Sequence, residues 1–264
     1  MSTTPLPEEP LELGELTHDA VTGRYRIWQR KRGHRYSLDD VLTAWEAAQA
    51  APSAQRCLDL GSGIGSVLLM LAHKLPEARL CAVEAQRNSF CLLTRNVREN
   101  ALSDRTDLLQ LDLRNLQADA FGAAFDLITG TPPYFLPGKA TPSGDSQRAF
   151  ARVEYRGGVE AYLDTAGKLL APHGRVVVCA DALRPERVLG HAPRAHLRVI
   201  ARRDIVARDG HKGPLFSLFT LQHAEASPLP YRHLPAWYAR DRAGRRTAEY
   251  LAARQFFGLP SQAS

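Results

Sequence analysis

The stretch that most constrains this 264-residue chain is "LDLGSGIGS", residues 58–66. A short apolar run enters it. It leaves through "IGSVLLMLAHKL" (64–75), whose apolar residues recur at helical spacing up to Pro76. Gly61, Gly63 and Gly65 stand where the strand-like run becomes the helix. Without a Cβ, a backbone there turns tightly and comes close to a ligand. The helix that follows begins with unpaired N–H donors and a partial positive charge. Strand, glycine turn and helix in that order predict a parallel sheet with its binding site at the strand ends.

The flanking segments repeat this order. Strands read at 56–60, 79–85, 106–113, 125–130 and 175–180, with helices at 37–50, 64–75, 86–100, 157–170 and around 183–190. In the helix at 37–50, Ser37 suits the N-cap and Asp40 its capping-box partner, while Leu38, Val41, Leu42 and Trp45 form one apolar face. Two late strands, 197–207 and 215–222, joined by the polar "ARDGHKGP", read as an antiparallel hairpin at one edge. The expected class is α/β: a largely parallel seven-stranded sheet with helices on both faces. Residues 1–23 read as a flexible lead, 24–52 as a basic segment with a helix, 53–225 as the core and 226–264 as a C-terminal extension. Residues 136–156 read as a polar, turn-rich loop.

Composition narrows the partners. With 44% hydrophobic and 23% charged residues, the chain can bury a core without cross-links. No apolar run reaches the roughly 18 residues of a membrane span, and the N-terminus lacks the basic and apolar regions of a secretory signal. Cys57, Cys81, Cys91 and Cys179 form no CxxC pair and read as free thiols in a reducing cytoplasm. The nine histidines are scattered without HxxxH spacing, so no metal site is expected. The formal charge of +6 favours anionic partners. "RYRIWQRKRGHRY" (24–36) and "YARDRAGRR" (238–246) interleave basic and aromatic residues, either as RNA-gripping surfaces or as solvated basic faces. The basic termini need no partner chain, so a monomer is compatible with the sequence, which leaves the oligomeric state open.

Three acidic residues close three successive strands: Asp59 just before Gly61, Glu84 after the second strand, and Asp112 after the third. Glu84 can accept hydrogen bonds from both hydroxyls of a ribose, which suits a dinucleotide as well as other adenosine cofactors. The glycine spacing is GxGxG, with Ser66 where a dinucleotide enzyme has its third glycine. Acidic-x-GxGxG resembles the cofactor turn of S-adenosylmethionine (SAM) methyltransferases. The resemblance implies that Asp59, Gly61, Ser62, Gly63, Gly65, Glu84, Asp112 and Leu113 hold SAM, with Asp112 accepting from the adenine amino group.

After the fourth strand comes "GTPPYF" (130–135). The place and pattern resemble the (Asn/Asp/Ser)-Pro-Pro-aromatic motif of methyltransferases that act on planar nitrogens. There Pro132 and Pro133 stiffen the backbone. Tyr134 stacks on the flat acceptor, a contact of about 1–3 kcal/mol for a base. No strong general base is needed, because catalysis is positioning and charge complementarity.

"YRIWQRKRGHRYSLDDVLTAW" (25–45), "TPPYF" and "WYARDRAGRRTAEYLAARQFF" (237–257) are together similar to the tRNA(Val) adenine-N6 methyltransferase family. The family implies a Rossmann-like class I SAM fold, conversion of SAM to S-adenosylhomocysteine, and a tRNA adenine as acceptor. It also implies Asp39 near the methionine end of SAM, and Arg35, Tyr36 and Phe135 on the substrate side of Thr131–Tyr134. Thr131 departs from the family's Asn. A hydroxyl is shorter and rotates, and it both donates and accepts. Amine methylation with Thr131 as acceptor, a changed acceptor, and SAM binding without catalysis all fit that change.

Overall fold

The computed structural model describes residues 11–138, 144–226 and 229–260. The first strands, β1 (Leu16–Ala20) and β2 (Arg26–Arg30), pair antiparallel, with Leu16 opposite Arg30. The lead expected over 1–23 is therefore a strand from Leu16 onward. Its residues 1–10 lie outside the described residues, as do 139–143, 227–228 and 261–264.

Helix α1 (Leu38–Ala50) follows, and the Asp40 carboxylate accepts the Ser37 N–H at 2.8 Å, as a capping box requires. Then come β3 (Arg56–Leu60), α2 (Ser66–Lys74), β4 (Arg79–Glu84), α3 (Arg87–Glu99), β5 (Thr106–Gln110) and β6 (Phe125–Gly130). After these, α4 (Ser146–Arg152) and α5 (Val159–Leu169) lead into β7 (Leu170–Ala180) and the short α6 (Glu186–Leu189). The chain ends with β8 (Leu197–Val206), β9 (Phe216–His223), β10 (Arg232–Tyr238) and α7 (Ala248–Phe256).

One sheet has the order β10-β8-β9-β7-β6-β3-β4-β5. The strands from β7 to β5 are parallel, and β9 runs antiparallel to both β7 and β8. The sheet thus has eight strands among the described residues, not seven. The extra strand is β10, parallel to β8, so the expected hairpin is not at the edge. Pro235 hides β10 in the sequence. On an outer strand a missing N–H is tolerated, and the register slips between Leu234 and Trp237. Residues 136–156 also differ from the expected loop, because α4 forms within them.

Alternate residues of the central strands point to opposite faces. Cys57, Leu80, Ala82 and Leu127 pack under α1, α2 and α3, while Leu58, Cys81, Val83 and Ile128 pack under α5 and α6. The chain leaves β3 toward β4 on one side, and β6 returns on the other, with Leu60 opposite Gly130. This reversal leaves a crevice beyond the carboxyl ends of β3 and β6, the place where open α/β sheets bind ligands.

Candidate active site

Two cavities adjoin at that crevice. The first is lined by the glycine turn (Gly61, Ser62, Gly63), Glu84, Asp112, Leu113 and Tyr162. Gly61 and Gly63 have φ of +60° and +57°, a region that side chains rarely adopt. A Cβ on Gly61 would meet the Tyr162 hydroxyl at 2.1 Å, whereas one on Gly63 would meet nothing within 4 Å. The two glycines therefore do different work. Gly61 admits the Tyr162 ring, and Gly63 leaves open space beside the cavity. Gly65 does not line it; a Cβ there would meet Leu93 Cδ1 at 2.7 Å, so it serves helix packing.

Each of the three strand-end acids has its own surroundings. Asp59 is buried behind the turn and accepts from Ser62 Oγ at 2.6 Å and Thr129 Oγ1 at 2.7 Å. It ties the glycine turn to β6 and is not on the cavity wall, contrary to the direct contact expected of it. Burial pushes its carboxyl up to about 6, against those two hydrogen bonds. Glu84 does line the cavity, accepting from Gly63 N at 2.8 Å and Gln86 N at 2.6 Å; burial pushes it up to about 7. Asp112 lies beyond β5, which ends at Gln110, and caps the next turn by accepting from Arg114 N at 3.0 Å. Burial raises its carboxyl, but the Arg114 guanidinium, at 2.9 and 2.6 Å, outweighs that and holds it below the usual range.

The second cavity, of about 540 Å³, is lined by Arg35, Asp39, Thr131, Pro132, Pro133, Tyr134 and Phe135, with Arg148 and Arg152 from α4. The prolines bring no N–H, so Phe135 is the first residue of the loop to pair with α4: its N–H donates to Arg152 O at 3.1 Å. Tyr134 is held from behind. Its ring stacks on Phe216 at 6.4 Å and its hydroxyl donates to Cys179 Sγ at 2.9 Å. Phe135 is 39% exposed at the mouth, under the Arg152 guanidinium at 5.4 Å.

Arg35 pairs with Asp19 at 3.0 Å. Tyr36 is turned away: it lines a separate groove with Trp237 and Tyr250, and its hydroxyl donates to Ala20 O at 2.9 Å. The basic segment divides similarly. Arg24, Arg26, Lys31 and Arg32 are exposed, but Tyr25 is buried and Trp28 is packed between His18 and Arg95. Its aromatics hold the fold, which limits the expected RNA contact to its charges.

Asp39 lines only the second cavity, while Asp40 lines both. Burial and the neighbouring Asp39 charge push Asp40 up to about 8. Sequence reading used Asp40 only as a cap and missed His34, Tyr162 and α4 altogether. The signal for Tyr162 was the pair Gly61 and Gly130, since a Cβ on either would strike its ring. Among the described residues, no group of three His, Cys, Asp or Glu could hold a metal, and no helix is long and apolar enough to cross a membrane.

Comparison with known proteins bears on the family and the fold. A family model described as methyltransferase small domain matches residues 44–190. A tRNA1(Val) (adenine(37)-N6)-methyltransferase of Porphyromonas gingivalis is 31% identical over 79% of this chain and 78% of its own. One of the same description from Aeromonas hydrophila is 31% identical over 64% and 69%. Among solved structures, a predicted O-methyltransferase from Agrobacterium tumefaciens superposes with a TM-score of 0.59 at 18% identity, covering 84% of this chain and 98% of its own, which bears on the fold alone.

Proposed function

The chain belongs to the methyltransferase small-domain family and is a SAM-dependent methyltransferase, and from that premise we propose that it methylates the exocyclic N6 amine of an adenine in tRNA. The observation that carries this reading is the meeting of two cavities at Thr131 and Pro133, one beside the glycine turn and one beside the Pro-Pro loop. The relatives named for tRNA1(Val) adenine methylation supply the acceptor class.

The residues of the first cavity fit the cofactor. Gly63 leaves open space, its N–H is fixed by Glu84, and the N-terminus of α2 points the same way. When bound, SAM supplies an electrophilic methyl group on sulfur. Glu84 would take its ribose, Asp112 and Leu113 its adenine, and Gly61–Gly63 its backbone-facing edge. Asp59 acts indirectly by fixing Ser62, and Asp39 stands at the acceptor side. In the second cavity the stiff Pro132–Pro133 backbone orients a flat acceptor, with one face of Tyr134 backed by Phe216. The Thr131 hydroxyl has no hydrogen bond among the described residues and is free to accept one from an amine. Arg35 and Phe135 would meet the flanking nucleotides, and the exposed arginines of 24–32 and 238–246 the phosphates. The target nucleotide must be turned out of the RNA to reach this depth. The enzyme would act in the cytoplasm, release S-adenosylhomocysteine and need no metal. Residues 53–225 form most of its SAM core, which also takes in β10 of the C-terminal extension, while Arg35 and Asp39 bring the 24–52 segment to the mouth.

The test is transfer of labelled methyl from SAM to unmodified tRNA, read by nucleoside mass analysis. One N6-methyladenosine is expected. Label entering only protein or small molecules would replace the acceptor, and SAM binding without any transfer would mean the catalytic step is lost. Thr131→Asn should preserve or raise the rate if the hydroxyl stands in for an amide. A large loss would give Thr131 a substrate-specific role of its own.

A further inference from the structure

Five residues line both cavities: His34, Asp40, Thr131, Pro133 and Ala151. They form the wall between a methyl donor in the first cavity and an acceptor in the second. Pro133 and Ala151 have no polar side-chain atom, so proton chemistry at this wall falls to His34, Asp40 and Thr131. An amine that takes a methyl group becomes a cation and must lose one proton.

Those three side chains are not equally able to receive it. A Thr131 hydroxyl accepts a hydrogen bond but does not hold an extra proton near neutral pH. Asp40, pushed up to about 8, already carries its proton there. Asp39, outside the shared wall, is engaged by the Ser37 hydroxyl, by the Asp40 N–H at 3.2 Å and by the Tyr134 hydroxyl at 3.4 Å. His34 is anchored and open. Its N–H donates to Gln147 Oε1 at 3.1 Å, and the buried Gln147 in turn donates to Ser89 Oγ at 3.1 Å. Its imidazole makes no hydrogen bond among the described residues. Burial holds the ring below its ordinary pKa; Asp39 opposes this and the Arg148 and Arg152 charges add to it. A neutral imidazole has one nitrogen with a free lone pair.

We propose that His34 is a catalytic residue whose unprotonated ring nitrogen receives the proton shed by the acceptor nitrogen. This rests on the N-methylation reading above. The acceptor nitrogen forms its bond to the methyl carbon as the carbon–sulfur bond of the donor breaks toward sulfur. One N–H proton passes to His34, and the imidazolium returns it to water through the second cavity. The task is to remove a proton after attack begins, so a weak base suffices. Beside burial, the charges that act on His34 are Asp39 on α1 and Arg148 and Arg152 on α4; Arg35, Asp40 and Tyr134 share the second cavity with it, and Glu84, Asp112, Arg156 and Tyr162 the first.

The test compares wild type with His34→Gln in single-turnover methyl transfer to an unmodified tRNA transcript, from about pH 5 to 9, with SAM affinity measured by calorimetry. At saturating SAM the variant should be slower by about 10²-fold and should lose the fall in rate on the acid side; a variant whose defect disappears at saturating SAM overturns the proposal. In wild-type protein without SAM, histidine NMR should find His34 neutral at neutral pH, with its titration below that of an ordinary imidazole. A variant with wild-type rate and acid limb, or a His34 charged at neutral pH, overturns the proposal alone. A wild type that binds SAM but methylates no RNA amine overturns the N-methylation reading and this proposal with it.

Discussion

At the residue scale, one acid on the wall of the first cavity and one behind it couple stability to pH. Glu84 and Asp59 have carboxyls pushed up to about 7 and about 6 by burial. The folded chain thus keeps protons that the unfolded chain has lost. Their contribution is least unfavourable at low pH, and the fold loses stability as pH rises from the ordinary carboxylate range through those values. Each group is worth on the order of 2–3 kcal/mol across that window. His34 and His73, both lowered, act in the opposite sense on the acid side, so a single pH curve mixes the effects. Glu84→Gln isolates one share. The urea-unfolding free energy of wild type should fall relative to the variant between about pH 4.5 and 7.5. A constant difference would mean that the Glu84 carboxyl titrates alike in the folded and unfolded chains.

At the element scale, the turn between β3 and α2 is a scaffold joined to a cradle. Gly61→Ala drives a methyl group into the Tyr162 hydroxyl and should lower thermal stability sharply, because a buried ring on α5 must move. Gly63→Ala meets no protein atom and should cost only the roughly 1–2 kcal/mol of a left-handed non-glycine residue. Yet it should abolish most SAM binding, since the new methyl occupies the open space. Paired melting and calorimetry read the two effects separately, and equal loss of binding and stability in both would remove the distinction. The alternation of strands and helices was legible because every central strand is apolar and bounded by turn residues. Helix α4 was not legible. "SQRAFAR" has little periodicity, and its helix is fixed by contacts far along the chain, such as Arg148 to Gly33 O at 3.3 Å and Gln147 to Ser89. Likewise β10 exists because β8 offers it an open edge, which local propensity cannot reveal.

At the scale of the whole molecule, segments near both ends of the described residues pack into the core. Phe257, fully buried, packs with Tyr25 and Ile27, and Gly23 N donates to Phe257 O at 2.8 Å. Trp237 on β10 packs with Leu42 on α1 and with Cys179, Ile205, Phe216 and Leu218, the cluster that backs Tyr134. Its indole N–H is buried without a partner among the described residues, which subtracts from what the ring contributes. Trp237→Ala should still cost about 3–5 kcal/mol. It should impair methyl transfer more than SAM affinity, because the affected cluster backs Tyr134, which lines the second cavity and not the first. Thermal melting, calorimetry and the tRNA assay test this together. Equal damage to SAM binding would place the cluster under both cavities.

The sequence by itself determined the class of sheet, the glycine turn, the strand-end acids and the Pro-Pro loop. These are local: apolar runs, glycines without Cβ atoms and prolines with fixed φ act on their own neighbourhoods. Only the tertiary structure decided which of those groups face a ligand. It drew Asp59 behind the turn, turned Tyr36 into another groove, and brought Asp40 and His34 from outside the core to the wall beside Thr131. The reason is physical. A carboxylate, a hydroxyl or an imidazole becomes a site residue through what surrounds it, and those surroundings come from distant segments, as the 113 residues between His34 and Gln147 show.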